Sequence, residues 1–162
     1  MKRSAFTLVE LLVVISIIGL LSAISTVNLK SSQNAAKITK ARADLKQLAT
    51  AIDLARQNSN TYLRYITGTN CAYCYYCPSG DFRNIAESST CAQGMLGVLN
   101  AIYAAAGQPA AVKVMRDPWG SPYQMDENEA ETAGPDVIWS VGPDGSHNGG
   151  DDIILSLPKF GT

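Results

Sequence analysis

Apolar and polar positions divide the chain into three patterns. From Phe6 to Ile24 the residues are apolar except for Thr7, Glu10, Ser16, Gly19 and Ser22, and no Lys or Arg falls between Arg3 and Lys30. As a helix, about 19 residues at ~1.5 Å each reach ~28 Å, close to the ~30 Å hydrocarbon core of a bilayer, so this run predicts a membrane-spanning helix. Lys2 and Arg3 hold its N-terminus on the cytoplasmic side, so the chain beyond the span is exported. A secretory signal cut near Ser25 is the alternative, but its apolar region would be long for that role and would hold an acid. In the second pattern Ile38, Ala41, Leu45, Leu48, Ile52 and Ala55 recur at three- and four-residue steps, one apolar stripe on a polar helix that stops near "RQNSNTY". Such a stripe is a coiled-coil seam or a face packed on the chain's own domain, and the short repeat favours the second. The third pattern is mixed. "MLGVLNAIYAAAG" predicts a short helix ended by Gly107, and "SPYQM", "DVIWSV" and "DDIILSL" predict short strands separated by Gly, Pro and Asp. The expected fold is α+β, with a small antiparallel sheet lying against the long helix.

A length of 162 residues and 17.3 kDa suit one membrane-anchored unit plus one modest globular domain. The formal net charge is −1 and no basic cluster is interleaved with aromatics, which argues against nucleic acid as a partner. The charge is uneven, however. Lys30, Lys37, Lys40, Arg42, Lys46, Arg56 and Arg64 dominate the first half, while Asp126, Glu127, Glu129, Glu131, Asp136, Asp144, Asp151 and Asp152 crowd the last quarter. Two solvated faces and complementary subunit surfaces both account for this.

Glu10 poses a physical problem, because an acid inside a span costs ~2.5–3.5 kcal/mol or more at the bilayer centre and needs a partner. The stretch "KRSAFTLVELLVV" resembles the class III leader of type IV pilins and type II secretion pseudopilins, which a dedicated prepilin peptidase cuts before a Phe-Thr-x-x-Glu-like start. The resemblance implies cleavage between Ala5 and Phe6, with Ala5 standing where Gly is usual, and a free, N-methylated amine on Phe6. That amine in one subunit can neutralise Glu10 of its neighbour, so the acid is tolerated only when subunits assemble in register. "KARADLKQLATAIDLARQNSNTY" is similar to the second half of the long pseudopilin helix. "DPWGSPYQM" and "IWSVGPDGSHNGGDDI" resemble the "DPWG-x-PY" and "S-x-G-x-DG" elements of the major type II secretion pseudopilin. Within "DPWGSPYQM", Pro118, Gly120 and Pro122 shape the turn, and Trp119 is expected to cover the sheet.

The segment from about Arg64 to Ala111 lies outside that resemblance and contains all four cysteines, Cys71, Cys74, Cys77 and Cys91. An exported domain favours two disulfides. A Cys₄ zinc site is the alternative, since Cys71-x₂-Cys74 has suitable spacing, although the overlapping Cys74-x₂-Cys77 makes a paired knuckle awkward. Catalytic thiol chemistry ranks last, because no βαβ context surrounds the Cys-x-x-Cys and His147, the sole histidine, lies far along the chain in a Gly-rich loop, where it reads as solvated.

That loop has its own chemistry. Asp144, Ser146 and Asn148 alternate before Gly149 like the early half of an oxygen-ligand calcium loop, and Asp151 and Asp152 add carboxylates. A helix-flanked EF-hand is not expected, because its closing position falls on Leu155. In the pseudopilins that the loop resembles, calcium is held by the counterparts of the Asp144, Asp151 and Asp152 side chains and by backbone carbonyls at the positions of Val141 and Ser146. The bland alternative is a set of Asx-turns in a solvated acidic loop.

With no nucleophile elbow, phosphate loop or zinc triad in the sequence, an enzyme is not expected. The resemblance implies a pilin-like fold divided into a leader (1–5), a transmembrane and assembly segment (6–29), and an amphipathic helix with an exported domain (30–162). It implies a structural subunit of a type II secretion pseudopilus in the bacterial inner membrane, with its globular part in the periplasm or beyond. Its expected partners are further copies in a helical filament, minor pseudopilins, the secretion machine's inner-membrane platform and prepilin peptidase. A type IV pilin for adhesion, motility or DNA uptake is the second reading. A membrane-tethered zinc or redox module centred on the cysteines is the third.

Overall fold

A computed structural model of the protein describes residues 6–129 and 134–161, and over residues 23–28 it describes the backbone alone. The leader, with Ala5, lies outside the described residues, as does Glu131. The chain forms two compact units that divide between Ala36 and Lys37.

Helix α1 runs from Leu8 to Ser59. In the first unit its apolar residues are exposed, among them Leu8, Val9, Leu11, Leu12, Ile15 and Leu20. Among the described residues no helix is long and apolar enough to cross a membrane. The described side chains of this apolar run end at Ser22, short of the ~20 residues a span needs. The span expected from Phe6 to Ile24 extends beyond them.

In the second unit the expected stripe is the buried face of α1: Ala41, Leu45, Leu48, Ile52 and Ala55 are each at most 3% exposed, and Ile38 is half-buried. The seam therefore serves the chain's own core. A fully buried Leu or Ile there contributes roughly 1.5–3 kcal/mol. Asn60, at φ 47°, ends the helix in the left-handed region that Asn tolerates better than most residues.

Two five-residue helices follow, α2 (Leu63–Thr67) and α3 (Ala72–Tyr76), and then α4 (Thr90–Ala105). Helix α4 begins five residues before the apolar run at Met95, because Ser89 caps it: the Ser89 hydroxyl accepts from the Ala92 amide at 3.2 Å. Gly94 within α4 allows close approach of α3, since a Cβ there would collide with the Tyr76 ring. Strands β1 (Gln124–Asp126), β2 (Val137–Ser140) and β3 (Ile153–Ser156) form an antiparallel meander in the order β1-β2-β3, with Gln124 opposite Trp139 and Ile138 opposite Leu155. Leu45, Leu48 and Ile52 of α1, Met95, Leu99 and Ile102 of α4, and Met125, Ile138 and Trp139 of the sheet share one core. Trp139 is the buried indole, whereas Trp119, expected to cover the sheet, is only half-buried.

Charged residues are buried here too, among them Arg56 and Asp136. Arg56 and Asp136 are each 1% exposed and form an ion pair through Arg56 Nη2 and Asp136 Oδ2. Arg56 Nη1 also donates to the Pro158 carbonyl at 2.9 Å, which ties α1 to the segment that follows β3. Part of the uneven charge along the chain is thus neutralised internally.

Candidate functional site

At the start of α1, Glu10 folds back on its own helix end. The Thr7 amide and hydroxyl donate to Glu10 Oε2 at 2.8 and 2.7 Å, and the Glu10 amide donates to Thr7 Oγ1 at 3.3 Å. This is a Thr-x-x-Glu capping box, which satisfies amides left over at a helix start. Its signal is present in the sequence but masked there, because the acid's charge dominates and Thr7 reads as a mere polar interruption of an apolar run. Phe6 is 81% exposed, and among the described residues no cation pairs with Glu10. Its local bonds satisfy one carboxylate oxygen and leave the charge available.

The four cysteines form two disulfides, Cys71–Cys74 and Cys77–Cys91, and no cysteine is free. The zinc alternative is thereby overturned, since a sulfur held in a disulfide is not the thiolate that zinc binding requires. Cys77 and Cys91 are buried at 0% and 7% exposure, joining the end of α3 to the first turn of α4.

The loop from Val141 to Asp152 follows β2. It turns through Gly142, Gly145, Asn148 and Gly150, all at positive φ. Its acids point back onto its own backbone: the Asp144 amide donates to Asp151 Oδ2 at 3.1 Å, the Ser146 amide to Asp144 Oδ1 at 2.8 Å, and the Asn148 amide to Asp152 Oδ2 at 2.9 Å. Gly149 lets the Asp144 carboxylate lie against the backbone, since a Cβ there would displace it. Val141 is fully buried and anchors the loop; Asp144 is exposed, while Ser146, Asp151 and Asp152 are half-buried. Desolvation raises the Asp152 pKa, and the charges of Asp144 and Asp151 push the same way.

Asp151 Oδ1 and Asp152 Oδ1 are buried oxygens without a hydrogen-bond partner. Two orphaned carboxylate oxygens with a third carboxylate nearby suit a hard divalent cation in donor type. Among the described residues, though, no three His, Cys, Asp or Glu side chains are already arranged around a metal position. A cation stands at the rim: the Arg83 guanidinium is paired first with Asp81 at 2.6 Å, its Nη1 donates to the Pro143 carbonyl at 2.9 Å, and the charges of Asp144 and Asp151 act on it more weakly. His147 departs from expectation. It is half-buried rather than solvated, with its ring 4.3 Å from Tyr73 and 5.0 Å from Trp139, so tilted ring contacts anchor the loop.

Residues 1–26 match the family model described as the prokaryotic N-terminal methylation motif. Over 151 residues the chain is 30% identical to type II secretion system core protein G of Pseudomonas aeruginosa, covering 93% of this chain and 91% of the relative. The chain belongs to the type II secretion system core protein G family. Core proteins G of Aeromonas hydrophila (29% identical, 94% of this chain and 91% of the relative) and Escherichia coli K12 (30%, 94% and 90%) agree with that membership. No solved structure matches the chain. Within the core protein G family, a long N-terminal helix joined to a small three-stranded sheet is the arrangement this chain adopts.

Proposed function

We propose that this protein is the repeating structural subunit of a type II secretion pseudopilus. The observation that carries this reading is family membership along nearly the whole chain, joined to the methylation motif at its start. The leader (1–5) is removed between Ala5 and Phe6 by prepilin peptidase. Segment 6–29 holds the subunit in the inner membrane and then in the filament, and 30–162 carries the globular part on the exported side. In the filament, the Phe6 amine of one copy sits against Glu10 of the next, with minor pseudopilins and the inner-membrane platform as the other partners. Mass spectrometry of the membrane-extracted chain tests this directly. A methylated Phe6 N-terminus is expected, and an intact Met1 or a cut near Ser25 would sink the reading.

The loop after β2 supports a second part of the proposal, a calcium site. Asp144, Asp151 and Asp152 would hold the ion with the backbone carbonyls of Val141 and Ser146. Its support is the pair of orphaned buried oxygens on Asp151 and Asp152 and the mutual repulsion that adds to the raised Asp152 pKa. Bound calcium supplies the positive charge that three neighbouring carboxylates need. A ligand that binds only the native state stabilises it by about 2.7 kcal/mol at a hundredfold excess over Kd. The thermal midpoint of the detergent-extracted chain should therefore rise with millimolar calcium and fall with a chelator. Asp144→Ala should remove most of that shift, and equal midpoints with and without calcium would refute the site.

A further inference from the structure

We propose that Cys71–Cys74 is a thiol–disulfide exchange site for a protein dithiol, whereas Cys77–Cys91 is the permanent staple of the same segment. The inference rests on the reading that the domain is exported, where disulfides persist. The two bonds differ in access. Cys74 is exposed and Cys71 half-buried, while Cys77 and Cys91 lie in the core. An attacking thiolate needs a line to a sulfur, and only the first bond offers one.

The surroundings of Cys71–Cys74 suit both its opening and its closing. The Cys74 amide donates to Cys71 Sγ at 3.2 Å, a contact that favours a thiolate on that sulfur once the bond opens. The Ala72 amide, between the two cysteines, donates to Glu127 Oε2 at 2.8 Å, and Cys77 at the other end of α3 is stapled to α4. The four-residue loop is thus tied to the rest of the domain on both sides, and the two sulfurs stay close enough to pair again after reduction. Glu127 Oε1 is buried beside this loop with no partner. A thiol could donate to such an oxygen; a disulfide cannot. Next to the bond, Asn70, Tyr75 and Tyr76 share an open recess of about 490 Å³ with Arg64 and Tyr65. Tyr and Arg are the side chains that most often anchor a docked protein.

Exchange begins when a thiolate of the dithiol attacks Cys74 Sγ and forms a mixed disulfide; the Cys71–Cys74 bond breaks and its electron pair leaves on Cys71 Sγ. The dithiol's second thiolate attacks its own first sulfur, the mixed disulfide breaks, and Cys74 leaves as a thiolate. The dithiol loses two electrons and becomes a disulfide, the chain gains two, and the two protons pass to Cys71 and Cys74.

The test uses the full chain, extracted in detergent in the presence of a first alkylating reagent that caps free thiols. The native protein is then incubated with graded dithiothreitol, capped with a second reagent and mapped by mass spectrometry. Cys71 and Cys74 should take the second label at least about ten-fold faster than Cys77 and Cys91. A Cys-x-x-Ser variant of a thioredoxin-class oxidoreductase, unable to complete the second step, should be trapped on Cys74. Equal labelling rates, earlier opening of Cys77–Cys91, or no trapped complex on Cys74 would each overturn the proposal. First-reagent label on all four cysteines would overturn it by removing the export reading beneath it, a distinct signature because no disulfide would then have formed.

Discussion

Glu127 is the acid on which water has least hold. Its side chain is fully buried, one oxygen accepts from the Ala72 amide and the other has no partner. Burial pushes its carboxyl from 4.5 up to about 7; the Ala72 amide and the Thr67 hydroxyl pull it down, and the charge of Asp136, itself paired with Arg56, pushes up again. Because the folded pKa is raised, the folded state binds the extra proton between those two values. Its stabilising contribution is complete below about pH 4.5 and is lost as pH rises to about 7, a difference on the order of 3 kcal/mol. Urea unfolding of the extracted chain, followed by tryptophan fluorescence, should show lower stability at pH 8 than at pH 5. Glu127→Gln keeps the acceptor and removes the titration, so it should close most of that gap; a gap unchanged in the variant would count against the assignment. None of this is legible in the sequence, where Glu127, Glu129 and Asp136 read as part of an acidic run on a solvated face or a subunit surface. Sequence spacing cannot show that Arg56, 80 positions before Asp136, turns inward to meet it.

Elements are legible where a period or a punctuation mark survives. The α1 stripe keeps its step over several turns, and the three strands lie between Gly, Pro and Asp, so the sequence places both close to where they form. Helices α2 and α3 span five residues each, too short for any period to register, and a disulfide with the Gly94 contact decides where α3 lies. Because Cys77–Cys91 closes a 14-residue separation between α3 and α4, removing it should cost about 3 kcal/mol by loop-closure entropy. Paired Cys77→Ser and Cys91→Ser changes should lower the urea midpoint accordingly. Cys71→Ser with Cys74→Ser, which opens a loop of separation 3, should cost less. If the second pair proved the more damaging, the staple would have been assigned to the wrong bond.

For the whole molecule, the decisive group is the acid that the sequence makes conspicuous. Among the described residues of one chain Glu10 is bonded through Thr7, which satisfies hydrogen bonds and brings no positive charge to the acid. Placed among lipid-facing helices, its negative charge favours any assembly that brings a cation to it, and the new amine on Phe6 of a neighbouring copy is the cation that processing would create. Removing one partner of a desolvated ion pair strands the other at a cost of about 3–5 kcal/mol. Glu10→Ala and Glu10→Gln should therefore both leave the Phe6 N-terminus correctly processed and the chain inserted, because neither change adds charge to the membrane. Both should reduce filaments recovered by shearing from cells that overproduce the machine by at least about ten-fold. Thr7→Ala, which breaks the capping box but leaves the acid in place, should reduce them far less. If Thr7→Ala proved as harmful as Glu10→Ala, the carboxylate would matter for starting α1 and not for joining copies; normal filament yield from Glu10→Gln would remove the charge argument altogether.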